Sequence, residues 1–465
     1  MLTDVKKIHF VGIGGIGMSG LADILIELGY KVSGSDISPN SCIQRLILKG
    51  AVIKFGHHKD NLGSDVDMLV YSSSISSDNP ELTKARAKNI GVVHRADILA
   101  WLMQSRIGIS VAGAHGKTTT TALIAHLISV AGYDPTAVIG GVVNDWDTNA
   151  RLGRGNYLVA EADESDGSFL KLPSVYTVVN NIDEEHLDYY KNINNIVEAY
   201  RCFINNTRYF GCVFYLLDNN YLREIMKNSG LHNINYGLSE EANVYPKDIR
   251  LRDNFSDFEC VYFGNDLGRI SLQIPGIHNV LNACAALAVA KELNIDLGII
   301  KEALFSYKGT KRRFQIKKEK PIMVVDDYAH HPAEIKATLE AARVWKKNRI
   351  IAVFQPHRYT RTFYLQDLFS GAFSLADKLI ITDIYAAGEK PIEGISGEGI
   401  CDRMLKGGHK DVVYLNKNDI IPHLLKTAKE DDLILILGAG DITRLSDGLV
   451  DVLNKKYENV SNALV

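Results

Sequence analysis

A glycine-rich loop connects an apolar segment of the chain to a helical one. Residues 107–112 read Ile-Gly-Ile-Ser-Val-Ala, which is typical of a buried strand, and a run rich in Thr, Ala, Leu and Ile follows Lys117. The backbone N–H groups of Gly113 and Gly116, the positive end of a helix and the Lys117 ammonium favour a polyphosphate ligand. The sequence therefore predicts a strand, a phosphate-binding loop and a helix, with the Thr118 hydroxyl available to Mg²⁺.

The spacing within this loop departs from the standard phosphate loop. Between Gly113 and Thr118 the chain is about two residues shorter than GxxxxGK[ST], and a bare GK[ST] occurs often by chance. A glycine-rich turn with a solvated lysine is the alternative. The flanking strand and helix favour phosphate binding, because a phosphate loop requires both.

The size and charge of the chain limit the classes of function. A length of 465 residues predicts about three domains, and a net charge of -3 gives no basic surface for nucleic acid or an anionic membrane. No apolar run approaches the roughly 18 residues of a membrane span, and no secretory signal precedes the first strand, so we expect a cytoplasmic protein. The six cysteines include no CxxC pair, and we expect buried, reduced thiols.

The first segment carries a glycine fingerprint of nucleotide-binding folds. The apolar strand that begins at Lys7 runs into Gly12-Ile-Gly-Gly-Ile-Gly17, a GxGxxG pattern, and an apolar helix follows from Met18. Asp36 ends the next strand, about 20 residues on, where an acid binds a ribose hydroxyl in dinucleotide enzymes. Three serines, 72–74, follow another strand at the edge where ligands of such sheets bind, although turn formation is an equal alternative. Because the glycines recognise a pyrophosphate, this segment predicts a nucleotide-diphosphate site and leaves its chemistry open.

An acidic strand end in the second segment predicts a magnesium site. The strand from Tyr157 ends in four carboxylates within residues 161–166, and Glu161 is the best single ligand. A further strand over 175–182 leads to His186, a weaker ligand because Mg²⁺ prefers oxygen. Thr118, Glu161 and His186 each follow a strand and should meet at one edge of one sheet. A surface turn with solvated acids is the alternative.

Two further patterns of the second segment concern ligands. Asn279 and Asn282 lie one turn apart at the start of an Ala-rich helix, and their amides could pair with an adenine edge. N-capping is the alternative for Asn279 alone. Residues 149–153 read as a polar loop.

The third segment predicts a second doubly wound sheet. Strands at 323–327, 349–354, 378–382 and 433–437 alternate with helices, and polar residues follow their ends. Arg313 lies in a cationic turn suited to phosphate. Arg358 and Arg361 lie three apart in one loop and could hold a carboxylate between them, or could be solvated.

Eight motifs, in order, give the chain its resemblance to a known family. They are HFVGIGGIGMSGLA, GAHGKTTTT, EADESDGSF, NNIDEEHLDYY, PGIHNVLNACAA, DDYAHHPAEI, QPHRYTRT and DIYAAGEKPIEG. Together they make the chain resemble the Mur ligases of peptidoglycan synthesis over its whole length, and most closely the members that add L-alanine to UDP-N-acetylmuramate. The short phosphate loop is typical of that family.

The resemblance implies an α/β protein of three domains and assigns their sites. The implied domains are a Rossmann-like UDP-sugar-binding domain over 1–105, a central P-loop-type ATP-binding domain over 106–312, and a doubly wound amino-acid-binding domain over 313–465. The UDP-sugar would contact Gly14, Gly15, Ile16, Gly17, Asp36, Ser72, Ser73, Ser74, Asn149 and Arg151. ATP would contact Gly113, Ala114, His115, Gly116, Lys117, Thr118, Thr119, Asn279, Asn282, Arg313 and Asp327. L-Alanine would contact Tyr328, His330, Arg358 and Arg361.

The implied reaction is ATP-dependent amide formation through an acyl phosphate. Lys117, Arg313 and two Mg²⁺, the latter bound by Thr118, Glu161 and His186, would neutralise the phosphates. The catalytic set is then Lys117, His186, Arg313 and His330, with His330 or a nearby carboxylate as the base that deprotonates alanine. The third domain is expected to close over ATP. The expected partners are these three small molecules, with no nucleic acid or membrane, and the protein is expected to be a monomer or weak dimer.

Three alternatives remain open at the level of sequence. A related ligase could add a preformed peptide or another amino acid, because pocket size decides that choice. An NAD-dependent dehydrogenase would use GxGxxG with Asp36 but leaves the loop at Lys117 unexplained. A nucleotide-controlled binding module would bind without chemistry.

Overall fold

Three β-sheets, each formed by one consecutive stretch of chain, organise the protein. The computed structural model describes residues 4–345 and 347–463, so the outermost ends of the first and third predicted domains lie outside the described residues. The sheets contain five, ten and six strands and are mainly parallel, which confirms the predicted α/β class. Within the described residues, no helix is long and apolar enough to span a membrane.

The first sheet is entirely parallel, with the strand order β3-β2-β1-β4-β5 of a nucleotide-binding half-fold. Its strands are β1 (Lys7–Val11), β2 (Lys31–Asp36), β3 (Val52–Phe55), β4 (Met68–Tyr71) and β5 (Gly91–His94). Its helices are α1 (Ile16–Glu27), α2 (Ser41–Leu48), α3 (Pro80–Ala87) and α4 (Arg95–Gln104), with a short 3₁₀ helix at Lys59–Asn61. Side chains cap the starts of α2, α3 and α4, because Asn40 accepts from Ile43 N, Asn79 from Glu81 N and His94 from Ala96 N. The predicted order of strand, glycine turn and helix is confirmed.

The second sheet has the order β15-β14-β13-β12-β11-β10-β6-β9-β7-β8, with antiparallel pairing at both edges. Its strands are β6 (Ile107–Ala112), β7 (Thr136–Val143), β8 (Thr148–Arg151), β9 (Tyr157–Glu161), β10 (Tyr176–Val179), β11 (Cys212–Leu216), β12 (Asn233–Tyr236), β13 (Val244–Arg252), β14 (Phe255–Tyr262) and β15 (Asn265–Leu272). Its helices are α5 (Lys117–Val130), α6 (Leu187–Tyr190), α7 (Ile193–Asn205), α8 (Asn220–Lys227), α9 (Ile277–Glu292) and α10 (Leu297–Ser306), with a 3₁₀ helix at Ser168–Lys171. Helices α5 and α9 pack side by side, and the buried Ala-rich stretch 283–290 of α9 lies in the core of this sheet.

The third sheet has the order β16-β17-β21-β18-β19-β20, parallel except for β16. Its strands are β16 (Gln315–Lys318), β17 (Met323–Asp327), β18 (Ile350–Phe354), β19 (Lys378–Ile381), β20 (Val412–Tyr414) and β21 (Leu433–Leu437). Its helices are α11 (Pro332–Arg343), α12 (Tyr359–Leu365), α13 (Phe369–Ala372), α14 (Gly397–Lys406), α15 (Lys417–Thr427) and α16 (Thr443–Ala463). Strands β17, β18 and β21 are buried along their whole length, and each large apolar side chain buried there stabilises the fold by about 1.5–3 kcal/mol.

Strand register in the second sheet brings three chemically important segments together. Val111 of β6 is opposite Glu161 of β9, and Ala112 is opposite Val179 of β10. The carboxyl ends of the three strands therefore meet at one edge, which confirms the expected gathering of the phosphate loop, the acidic segment and the segment leading to His186.

Two expectations about local structure are wrong. Residues 148–151 form strand β8, where a polar loop over 149–153 was expected; antiparallel pairing with β7 at the edge of the sheet orders this segment and buries Asn149 and Ala150. All six cysteines are free, but Cys202 is exposed. It lies on α7, whose buried face is formed by Ile196, Tyr200 and Phe203, so residue 202 is turned to solvent.

Candidate active site

The phosphate loop holds a lysine over its own backbone. Gly116 has the left-handed φ of 78°, and a Cβ there would clash with the side chains of Asn180 and Asn282, so only glycine fits. Helix α5 begins at the next residue, Lys117, whose Nζ donates to Gly113 O (2.5 Å) and to Glu164 Oε1 (2.8 Å). The loop thus presents a fixed ammonium and open backbone N–H groups at a helix start, the combination that binds phosphate.

Several carboxylates surround this ammonium. Burial acts to lower the pKa of Lys117, but Glu164, Glu185 and Glu161 outweigh burial and raise it. Lys117 therefore stays protonated at all physiological pH values. Asp163, at the same strand end, pairs with Arg95 of the first domain (2.8 Å), and its pKa is lowered to about 2 even though burial opposes ionisation.

Oxygen atoms at the end of β9 and beyond it suit a hard cation. Glu161 Oε2 accepts from Gly140 N (2.7 Å), and the Thr118 hydroxyl also hydrogen-bonds to this carboxylate. Glu164 is 2% exposed, and its Oε2 has no hydrogen-bond partner among the described residues. A buried carboxylate oxygen without a partner, on a residue that lies beside the carboxylate of Glu185, fits a magnesium ion, which binds through oxygen.

His186 was expected to lie with Thr118 and Glu161, but it lies with Glu164 and Glu185 instead. Its Nε2 lies 3.6 Å from Glu164 Oε1 and 3.5 Å from Glu185 Oε2, and the ligand atoms of these three residues lie within 4.8 Å of one another. Glu161 instead lies with Thr118. Glu164 and Glu185 were not predicted as ligands, although they lie in the segments EADESDGSF and NNIDEEHLDYY, because sequence alone does not show which acids of a cluster point inward.

A cleft of about 960 Å³, including space open to solvent, lies between the second and third sheets. It contains seven of the predicted ATP-binding residues: His115, Gly116, Thr119, Asn279, Asn282, Arg313 and Asp327. It also contains residues that the sequence analysis did not propose, among them Asn180, Asn181, Tyr236, His278, Phe314, Glu334 and Thr338. Some of these could have been found, since Asn180 and Asn181 follow β10 directly and His278 precedes Asn279.

The two amides expected at adenine bond chiefly to each other and to the protein. Asn279 Nδ2 donates to Pro275 O (2.6 Å), and Asn282 Nδ2 donates to Asn279 Oδ1 (3.2 Å). Asn282 Oδ1 accepts from Thr120 Oγ1 (3.0 Å). The helix N-cap is Gly276, so the alternative of an N-capping Asn279 is wrong. Each amide retains one N–H and one lone pair for a ligand.

An electrostatic bridge joins the phosphate loop to the third domain. His115 Nε2 lies 3.0 Å from Asp183 Oδ2, and His115 Nδ1 lies 3.6 Å from Glu334 Oε1 on α11. Arg313 Nη1 lies 3.8 Å from the same Glu334 oxygen. Glu334 thus links the loop at His115 with the cation that was predicted to reach phosphate.

The protonation of His115 predicts a pH dependence of stability. Burial lowers its pKa, but the hydrogen bond to Asp183 and the negative charges of Glu334 and Glu185 outweigh burial and raise the pKa to about 10. The stabilisation is therefore complete below the unfolded value of about 6.5 and is lost as the pH rises through about 10. We expect the melting temperature of the wild type to fall by roughly 2–4 °C more than that of His115→Gln between pH 7 and 10, the shift that about 1 kcal/mol produces. Thermal melts of both proteins check this, and parallel curves would contradict it.

Two of the four residues predicted to bind the amino acid line a small pocket at the same edge. Arg358 and Arg361 lie there with His186, His331 and Glu185. Arg361 Nη1 lies 3.1 Å from His357 Nδ1, and Arg358 Nε lies 3.9 Å from Glu389 Oε1. Two guanidinium groups beside one pocket are suited to a carboxylate.

Tyr328 and His330 lie nearby on the segment after β17. The guanidinium groups of Arg312 and Arg313 lie 5.1 and 5.2 Å from the centre of the Tyr328 ring. Burial and the charge of Arg361 lower the pKa of His330 to about 4, so this ring is neutral at pH 7. Its Nδ1 lies 3.0 Å from Tyr328 O, and Nδ1 therefore carries the hydrogen and leaves Nε2 as the acceptor.

Asp36 stabilises the glycine turn of the first domain by accepting backbone hydrogen bonds. Asp36 Oδ2 accepts from Gly14 N (2.7 Å), and Oδ1 accepts from Ile37 N (2.7 Å). Of the three serines, Ser73 hydrogen-bonds to Asp166 in the acidic segment and to His94. The segment 72–74 of the first domain thus contacts the acidic segment 161–166 of the second domain.

Asn149 and Arg151 were both predicted to contact the UDP-sugar. Asn149 contacts the first domain, whereas Arg151 contacts other residues of the second domain. Asn149 is completely buried; its Nδ2 donates to Ile16 O (2.7 Å), and its Oδ1 accepts from Arg45 (3.1 Å). It therefore fixes the glycine turn to the second domain. Arg151 pairs with Asp134 and donates to Ser129 (3.0 Å), within the second domain.

Comparison with known proteins assigns all three parts of the chain to one family. Residues 7–107 match the model for the Mur ligase family catalytic domain, 111–290 the Mur ligase middle domain, and 312–440 the Mur ligase glutamate ligase domain. A UDP-N-acetylmuramate–L-alanine ligase of Pelobacter propionicus is 49% identical over 98% of this chain and 100% of its own, and one of Geobacter sulfurreducens is 46% identical over 98% and 99%. The crystal structure of UDP-N-acetylmuramate-alanine ligase MurC from Thermotoga maritima superposes with a TM-score of 0.83 at 30% identity, covering 97% of this chain and 99% of that one. A murein peptide ligase from Psychrobacter arcticus gives 0.72 at 25% identity, covering 96% and 98%.

Proposed function

The chain belongs to the Mur ligase family, and we propose that it joins L-alanine to the carboxylate of UDP-N-acetylmuramate while ATP becomes ADP and phosphate. One observation carries the proposal. Lys117 projects from a phosphate loop at the edge where the acidic segment and the cleft to the third sheet meet, so a triphosphate bound there lies between the two other substrate sites.

The first step forms an acyl phosphate, because a carboxylate is too poor an electrophile for an amine to attack. A carboxylate oxygen attacks the γ-phosphorus of ATP, the bond to the bridging oxygen breaks, and ADP leaves. Positioning and charge neutralisation supply most of the acceleration, and Lys117 and Arg313 provide fixed cations for both. Mg²⁺, held by Thr118, Glu161 and the group of Glu164, Glu185 and His186, would add neutralising charge on the phosphate oxygens.

The second step forms the amide. The amine of alanine attacks the acyl carbon, the tetrahedral intermediate expels phosphate with the former carboxylate oxygen, and the amine loses a proton. We assign proton acceptance to Nε2 of His330, which is neutral and free to accept. Its pKa of about 4 makes it a modest base, and Glu185 or Glu334 is the carboxylate that could take its place.

The three substrates are assigned to the three sheets. UDP is placed on the glycine turn 14–17 and the serines 72–74, ATP on the loop 113–119 and the cleft, and the carboxylate of alanine on Arg358 and Arg361. Domain boundaries near residues 105 and 312 are supported by the change of sheet at Ile107 and at Gln315. Dependence on ATP supports a cytoplasmic reaction.

A ligase that adds a peptide is the second candidate, supported by the likeness to the murein peptide ligase. A panel of acceptors tests the choice in a coupled assay of phosphate release, with each substrate omitted in turn. We expect release only when ATP, UDP-N-acetylmuramate and an acceptor are all present. L-Alanine should exceed glycine in kcat/KM by about tenfold or more, the usual value of one methyl contact. Phosphate release that does not require an acceptor would contradict the proposal, and preference for a tripeptide would favour the second candidate.

A further inference from the structure

A thiol, an imidazole and a carboxylate converge at the far edge of the second sheet. Cys212 is the first residue of β11, His232 directly precedes β12, and Glu292 is the last residue of α9. Because β10, β11 and β12 are parallel, their amino ends lie at the edge opposite the phosphate loop. This group is therefore separate from the active site.

The distances suit a metal ion. The three ligand atoms lie within 4.8 Å of one another, and His232 Nδ1 is 3.8 Å from Glu292 Oε1. Tetrahedral zinc with its usual bonds to S, N and O requires ligand separations of about 3.3–3.6 Å. The His232 and Glu292 side chains are not fully buried, so small rotations of these side chains close the difference between the observed and the required separations.

The donor set distinguishes this group from the acidic groups at the active site. The two other groups of possible ligands in the described part of the chain contain only histidine and glutamate. A cysteine beside a histidine and a carboxylate favours ions of the zinc class over Mg²⁺, which prefers oxygen.

Glu292 is the acidic member of the group, and Cys212 is the buried one. Burial first, and the Glu292 carboxylate second, hold the pKa of the Cys212 thiol and of the Tyr176 and Tyr262 phenols above their usual values. Its charge therefore faces the thiol and both phenols. Cys212 is buried, whereas the His232 side chain is 59% exposed and provides access from solvent.

We propose that Cys212, His232 and Glu292 bind one divalent ion of the zinc class, with water completing the coordination. The ion ties the carboxyl end of α9 to β11 and β12. The opposite end of the same helix carries Asn279 and Asn282 in the nucleotide cleft, so the ion stabilises the helix that lines that cleft.

Titration with Co²⁺ tests the site, because a cobalt–thiolate bond gives a charge-transfer band in the near ultraviolet. The full-length protein is titrated with Co²⁺ in excess Mg²⁺, which occupies oxygen sites. We expect the band to saturate at one equivalent, and Zn²⁺ to abolish it by competition. A protein without such a band, or with one that Zn²⁺ leaves in place, would overturn the proposal.

Variants identify the ligands. Cys212→Ser should abolish the band, while Cys202→Ser, which alters the exposed cysteine of α7, should retain it. His232→Ala, at an exposed position that folding tolerates, should weaken cobalt binding by at least about tenfold, since even outer partners of metal ligands contribute that much. A band that survives Cys212→Ser, is lost in Cys202→Ser, or has unchanged affinity in His232→Ala would refute the assignment.

Discussion

Replacement of Lys117 by alanine is expected to lower the rate of ADP formation by at least about a thousandfold. The ammonium lies among the loop carbonyls and Glu164, where it would meet the β- and γ-phosphates of ATP. Removal of one preorganised donor to developing charge costs about 10²–10³ in kcat, and Lys117 adds a full charge to its hydrogen bonds. Steady-state measurement of ADP formation with all three substrates saturating gives the result.

A control must separate lost catalysis from lost folding. Lys117→Ala removes the lysine that pairs with the buried Glu164 carboxylate, and breaking a buried pair can cost about 3–5 kcal/mol of stability. Activity is therefore measured well below the melting temperature of the variant. Lys227→Ala, which alters an exposed lysine of α8, should keep wild-type activity. Lys117→Ala activity within tenfold of wild type in a folded protein would contradict the assigned role.

Glu161→Gln is expected to lower kcat by about a hundredfold and to raise the Mg²⁺ concentration needed for half-maximal activity. Glutamine keeps an oxygen that can accept from Gly140 N but loses the charge beside Thr118. A bound metal ion contributes several kcal/mol of charge stabilisation in the transition state. A variant that binds the ion more weakly should therefore lose activity while it remains folded. Magnesium titrations of ADP formation measure both quantities.

Glu198→Gln provides the matched control for this variant. Its carboxylate lies on the exposed face of α7, where it contacts Arg201 and Cys202, so the same chemical change should leave magnesium dependence unchanged. If Glu161→Gln retains the magnesium curve of the wild type, the ion is bound elsewhere, and the group of Glu164, Glu185 and His186 becomes the site.

Local sequence patterns were sufficient to place the main elements of the site. The apolar strand before Gly113 and the helix from Lys117 could be identified because burial and the glycine spacing are local properties. The same holds for the glycine turn at Gly14 and for Asp327 at the end of β17. Parallel strand order then places the strand ends at one edge, as the register of β6, β9 and β10 shows.

Contacts between distant segments could not be predicted in this way. Glu334 reaches His115 and Arg313 only because the third sheet packs against the second, and no local pattern encodes that approach. Asn149 was expected in a polar loop at the UDP-sugar, but it is completely buried against Ile16 O, and this burial depends on an edge strand whose pairing is nonlocal. The roles proposed for individual ligand-binding residues remain predictions.

Transfer of oxygen-18 shows whether the sugar carboxylate, bound beside the triphosphate at Lys117, is phosphorylated before alanine attacks. UDP-N-acetylmuramate with oxygen-18 in its carboxylate is incubated with the enzyme, ATP and L-alanine, and the phosphate is analysed by mass spectrometry. We expect one labelled oxygen in each phosphate released; unlabelled phosphate formed together with the amide product would rule out the acyl phosphate.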